Sequence, residues 1–147
     1  MSPEADHAPA ARDLRTVTLT RDSVGRYTVR NNRGGSITTS SGTDELSPVE
    51  LLLAGIAGCT AVDVDAVTSR RAEPESFEIE VTADKVKDEQ GNHLRDINIS
   101  FRLRFPEGDG GDAARKILPD MARRSHEEFC TVSRTVILGA EVTAHID

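Results

Sequence analysis

At 147 residues, with 37% hydrophobic residues, 3% aromatic ones and no tryptophan, the chain has single-domain size and a core thin in large side chains. A formal net charge of −7 excludes a phosphate-backbone partner as the first expectation, so no nucleic acid is expected. The opening residues, MSPEADHAPAARD, carry no apolar run of the signal-peptide kind. Together with only two cysteines, that predicts a cytoplasmic protein whose thiols are either inert and buried or redox-active.

Residues 1–12 have no periodicity and are expected to form a disordered tail ahead of a single domain over residues 13–147. From Leu14 the pattern has period two. Leu14, Thr16, Thr18 and Thr20 fall on one side and Val17 and Leu19 on the other, which predicts a strand over Leu14–Arg21. Asp22 to Gly25 reads as a turn into a second strand, Tyr27–Arg30. Asn31-Asn32-Arg33-Gly34-Gly35 is the strongest hairpin signal in the chain, because Asn and Gly accept positive φ. A third, polar strand returns over Ser36–Ser41.

The next segment, Ser47 to Arg71, organises the rest. Ser47 is placed as an N-cap, Pro48 suits a first helical turn, and Glu50 completes a capping box with Ser47. Val49, Leu51, Leu52, Leu53, Ala54, Ile56, Ala57, Cys59, Ala61 and Val62 then make the helix apolar on every face. A helix of that kind is expected to be buried all round, wrapped by sheet and touching another helix. The apolar stretch ends at Asp63, too soon for a membrane span, so no membrane partner is expected. Gly55 and Gly58 each cost about 1 kcal/mol relative to Ala, recoverable where something packs on the bare backbone.

After the Ala72-Glu73-Pro74 break, Phe77, Ile79, Val81 and Ala83 alternate with polar residues, as do Ile97, Ile99, Phe101, Leu103 and Phe105. The two runs predict a long antiparallel hairpin turning at Asp88–Asn92. Pro106–Asp112 reads as an acidic, Gly-rich loop, and Ala113–Phe129 as a helix that Pro119 must start, kink or divide. Ile117, Leu118, Met121, Ala122, Ser125 and Phe129 make its apolar stripe. A short helix is expected from Cys130–Thr131 to Gly139, and a closing strand over Ala140–Ile146. The order is βββ-α-ββ-α-α-β, an α+β fold of antiparallel sheet and helices without repeats.

No C-x-x-C is present, and the four histidines (His7, His93, His126, His145) are scattered, so no metal is expected. No Gly-rich phosphate loop joins a strand to a helix, and no cofactor is expected. The segment SPVELLLAGIAGCTAVDV, followed by EEFCTVSRTV, resembles the two cysteine motifs of the OsmC/Ohr family of osmotically inducible protein C and organic hydroperoxide resistance proteins. The resemblance covers residue 14 to the end, and its wording is nearer to a less characterised OsmC-like branch. It implies an intertwined homodimer, with antiparallel sheets wrapped around paired central helices and active sites at the subunit interface.

It also implies thiol-dependent reduction of organic hydroperoxides. Cys59 would be the peroxidatic thiolate and Cys130 the resolving thiol, and an external dithiol would reduce the resulting disulfide. The activating cation would be Arg33, with Arg30 as the fallback, oriented by a glutamate matched by Glu50. Two positions depart from the pattern. Glu50 stands one residue later than the family glutamate, and Thr131 occupies a place where the family commonly has proline. Two other readings stay open: a dimeric binding module for an apolar ligand with redox-inactive cysteines, and a thiol redox sensor.

Overall fold

The computed structural model describes residues 12–147. The tail expected over residues 1–12 therefore lies, Arg12 apart, outside the described residues. The chain divides into two compact units, one ending at Pro48 and the other beginning at Val49.

The first unit carries an antiparallel meander of β1 (Thr18–Ser23), β2 (Arg26–Arg30) and β3 (Ser36–Ser40). Its β2–β3 turn has the chemistry that Asn and Gly predict. The Asn31 side-chain oxygen accepts the N–H groups of Arg33 and Gly35, each at 2.9 Å, and Gly34 takes a φ of 92°. The first strand begins later than expected. Thr18 already pairs with Arg30, the last residue of β2, so Leu14–Val17 have no ladder to join.

The second unit opens with α1 (Pro48–Thr68), which starts at the proline that the capping signals mark. Next come β4 (Ser76–Asp88) and β5 (Gly91–Arg104), a two-stranded hairpin. Phe77 faces Leu103, Ile79 faces Phe101 and Val81 faces Ile99 across it, so one face is lined by stacked apolar pairs. Both strands run up to a two-residue turn, which makes them longer than the apolar alternation alone suggested.

α2 spans Asp109–Arg124 and so takes in residues expected to be loop. Its first turn is made of Asp109, Gly110, Gly111 and Asp112, and the glycines answer to space. A Cβ on Gly110 would stand 2.4 Å from the Arg71 carbonyl oxygen, and one on Gly111 only 1.6 Å from that of Pro106. Pro119 sits inside this helix and neither starts nor divides it. The hydrogen bond it forfeits is offset by packing on either side, where Ala114 and Met121 are buried. A π-helical turn, Ser125–Phe129, follows, and its wider ring is closed by the Cys130 N–H donating to the Ser125 carbonyl at 2.7 Å. α3 (Thr131–Leu138) ends at Gly139, whose left-handed φ of 69° suits a C-terminal stop.

Two further expectations are corrected by the structure. Ala140–Ile146 forms no strand; Val142 and Ile146 are 93% and 97% exposed, and neither sheet offers this segment a paired edge. Nor is α1 buried all round. It buries one stripe, Ile56, Thr60, Val64 and Thr68, at four-residue steps, while Ala54, Gly58 and Val62 on the opposite face are exposed. Val132 packs over Gly55, but no described residue lies within 4 Å of a Cβ built at Gly58. At 21 residues α1 also has the length and apolarity of a membrane span, although its buried stripe is engaged by protein.

The tight start of α2 gives a stability test. Gly111→Ala should lower the urea midpoint by the equivalent of about 2 kcal/mol, since backbone must move to admit the methyl group. An unchanged midpoint would show that the Pro106–Gly111 approach is not needed.

Candidate dithiol site

Two cysteines far apart in sequence meet where α3 begins. Cys59 lies near the middle of α1 and is half-buried; Cys130 joins the π-turn to α3 and is fully buried; both are free thiols. Cys130 is the N-cap of α3, extended at φ −72° and ψ 100°, and its sulfur accepts the Ser133 N–H at 3.4 Å. A thiol is an uncommon cap, because sulfur is a weak acceptor unless ionised. Val132 packs over Gly55, its Cγ1 3.6 Å from where a Cβ would stand. Gly55 precedes Cys59 by one turn of α1, so this contact seats the first turn of α3 beside the Cys59 thiol.

Three neighbours and burial set the protonation of Cys59. Burial is the largest influence and pushes its pKa up; the Val132 N–H, donating to the sulfur, pulls it down. The adjacent Cys130 raises it, through its thiol and its potential charge, and the Thr131 N–H lowers it again. The balance is a raised pKa, so at neutral pH these elements by themselves favour the thiol over the thiolate. The two N–H groups at the start of α3 are the favourable part of the site. Sequence reasoning missed them because it searched for a side-chain cation, whereas backbone donors at a helix start leave no residue signature.

It also missed a buried polar chain. Ser125, placed on an apolar stripe by its spacing, donates to an Asp63 carboxylate oxygen at 2.7 Å, and its Oγ lies 2.8 Å from Thr60 Oγ1. Ser125 and Thr60 are essentially inaccessible. The available signal was the pair Thr60 and Asp63, one helical turn apart on an otherwise apolar helix.

The other expected site residues are placed differently. Glu50 lies in the first turn of α1, nine positions before Cys59 and so about 13 Å away along the axis. Arg33 and Arg30 belong to the first unit. Arg33 is exposed in the β2–β3 turn and lines an open cleft of about 540 Å³ with Asp13–Val17. The Arg30 guanidinium donates to Thr20 Oγ1 at 2.9 Å. A cleft of about 210 Å³ is lined by Ile56, Ile97, Ile99, Val136 and Ile137 together with the polar Arg95, Asp96, His126 and Ser133, the last of which donates its N–H to the Cys130 sulfur. The Ser133 hydroxyl is buried and has no hydrogen-bond partner among the described residues.

The family model for OsmC-like protein matches residues 40–145. No match emerges among proteins of curated function. Among solved structures, a protein from Aquifex aeolicus VF5 is 23% identical with a TM-score of 0.69, covering 87% of this chain and 90% of that one. An OsmC-like protein from Mycoplasma pneumoniae is 16% identical with a TM-score of 0.67, covering 86% and 89%. The organic hydroperoxide resistance protein OhrB of Bacillus subtilis is 20% identical with a TM-score of 0.52, covering 84% and 90%. At such identities the likeness is one of fold.

Thr131 offers a direct test of the backbone donors. Proline fits the first helical position, and the extended Cys130 before it suits the residue preceding a proline. Thr131→Pro should therefore keep the fold while deleting one N–H donor. The raised Cys59 pKa should rise further, so less thiolate is present at any pH below it, and alkylation by iodoacetamide at neutral pH should slow several-fold. Its pH–rate profile should shift to higher pH. An unshifted profile would show that the Thr131 N–H does not act on Cys59.

Proposed function

This chain belongs to the OsmC-like protein family, and from that membership together with its paired thiols we propose that it is a thiol-dependent organic hydroperoxide reductase. The observation that carries the reading is the seating of two free cysteines, one on α1 and one at the start of α3, with the Val132 and Thr131 N–H groups on the Cys59 sulfur. The name of the Bacillus subtilis protein of similar fold, organic hydroperoxide resistance protein, adds support for peroxide chemistry. The aliphatic part of the cleft that Ile56 and Ser133 share, Ile97, Ile99, Val136 and Ile137, supports a substrate with an apolar organic group.

In the proposed cycle the Cys59 thiolate attacks the terminal oxygen of ROOH. The S–O bond forms as the O–O bond breaks, the alkoxide leaves as ROH after taking a proton, and Cys59 becomes a sulfenic acid. Cys130, as thiolate, then attacks the Cys59 sulfur; the S–S bond forms, the S–O bond breaks, and water leaves with a proton. An external dithiol returns the pair to thiols by exchange. Net, one hydroperoxide and two reducing equivalents give ROH and water.

The raised Cys59 pKa requires a cation to make thiolate at neutral pH. Arg33 is the proposed source, with Arg30 the second choice and Glu50 the proposed orienting carboxylate. A homodimer is part of the proposal. Ala54, Gly58 and Val62 leave an exposed, small and apolar face on α1, and Leu52 is 42% and Val62 70% exposed. Covering that face with a second copy removes apolar surface from water. Light scattering at micromolar protein is expected to give twice the chain mass, and a monomer mass would contradict the dimer.

Single substitutions test the chemistry. Cys59→Ser should abolish consumption of cumene hydroperoxide, whereas Cys130→Ser should consume one equivalent and stop at the sulfenic or a higher acid. Arg33→Ala should slow the first step at neutral pH and move its pH–rate profile upward, with Arg33→Lys recovering only part. Wild-type thiol loss no faster than in denatured protein would overturn the proposal.

A further inference from the structure

Cys130 has three backbone and sulfur tethers: its N–H to the Ser125 carbonyl at 2.7 Å, its carbonyl to the Arg134 N–H at 2.9 Å, and its sulfur to the Ser133 N–H at 3.4 Å. The last two stay inside α3. Of these three, the bond to Ser125 is the one that leads back towards the helix that carries Cys59, beside the direct contact between the two thiols. There the Ser125 hydroxyl meets Asp63 at 2.7 Å and Thr60 at 2.8 Å, and Thr60 is the residue next to Cys59.

The proton order in this chain is fixed by chemistry. Ser125 donates its one proton to an Asp63 carboxyl oxygen, so the Thr60 hydroxyl must donate to Ser125. Each hydroxyl is satisfied, and Ser125 and Thr60 are buried to 0% and 1% exposure. A fully satisfied buried network holds one arrangement where an apolar contact of the same volume would tolerate sliding. The π-turn makes the double attachment possible. Its wide ring lets the Ser125 carbonyl reach Cys130 five residues on, while the side chain of the same residue faces α1.

We infer that Ser125, held by Thr60 and Asp63, is a positioning residue that sets Cys130 where it can close a disulfide with Cys59. Disulfide geometry is narrow, with Cα atoms about 4.4–6.8 Å apart and a dihedral near 90°, so a small slip of the π-turn is costly to closure. The inference rests on the proposed pairing of the two thiols, but closure does not require the oxidant to be a peroxide. With a cyclic disulfide such as oxidised dithiothreitol, Cys59 thiolate attacks one sulfur and opens the ring. Cys130 thiolate then attacks the Cys59 sulfur of the mixed disulfide, and reduced dithiothreitol leaves with two protons.

The experiment measures the effective concentration of the two thiols by equilibration with reduced and oxidised dithiothreitol, and the rate of closure after the first attack by stopped-flow and sulfenic-acid trapping with dimedone. Ser125→Ala and Thr60→Val should lower the effective concentration about tenfold or more, and Thr60→Ser should stay within about twofold of wild type, because it keeps the donor. With cumene hydroperoxide, the ratio of the closure rate to the attack rate should fall in the first two variants, and trapped sulfenic acid should accumulate. Ser125→Ala and Thr60→Val that melt lower yet keep the wild-type effective concentration and rate ratio would overturn the positioning role, as would Thr60→Ser behaving like Thr60→Val. A tenfold loss with dithiothreitol in a protein that consumes no hydroperoxide would uphold the positioning role and reject the peroxide reading.

Discussion

The dithiol depends on one contact, the seating of the first turn of α3 against the middle of α1. Val132 lies over Gly55, and the Val132 and Thr131 N–H groups reach Cys59. Cys130 caps the helix that supplies those donors. A Cβ at position 55 would meet Val132 at ordinary contact distance, so the close fit of the two helices there leaves room for no more than a methyl group before Val132 must give. At Gly58 no described residue comes within 4 Å of such a Cβ. Gly58 belongs to the exposed face of α1 for which a second copy is proposed.

Burial and reactivity oppose each other at this contact. Removing Cys59 from water holds it as a thiol, and the nearby Cys130 adds to that; only two backbone N–H groups favour the thiolate. The opposition explains why a cation must come from outside α1 and α3 if the pair is to react at neutral pH. It also gives Thr131 a chemical meaning. Where the family pattern commonly has proline, this chain keeps one more N–H donor on the sulfur.

Much of this architecture is legible in the sequence because it is written in local chemistry. The capping signals Ser47, Pro48 and Glu50 mark where α1 begins, Asn31 and Gly34 specify their turn, and the alternation from Phe77 and from Ile97 specifies the β4–β5 hairpin. The misreadings arise where a distant residue decides. Gly110 and Gly111 look like loop until Arg71 and Pro106 are seen against them. Pro119 looks like a break until the burial of Ala114 and Met121 is counted. Ser125 looks apolar by its spacing and is instead the polar anchor of the π-turn. Ala140–Ile146 has strand periodicity without a strand, since periodicity describes a face and not the neighbour that must pair with it. At the site, the two cysteines were found through motif resemblance, whereas the backbone donors and the Thr60–Ser125–Asp63 chain leave no motif.

The central claim, that Cys59 and Cys130 act as one reactive pair, is tested most directly by the covalent product of a single turnover. Reduced protein treated with one equivalent of cumene hydroperoxide, without added dithiol, is digested under non-reducing conditions and its peptides are weighed. A loss of two hydrogen atoms per chain is expected, with one cross-linked species joining the Cys59 and Cys130 peptides of the same chain. Two unlinked peptides, or a link between cysteines of different chains, would contradict it.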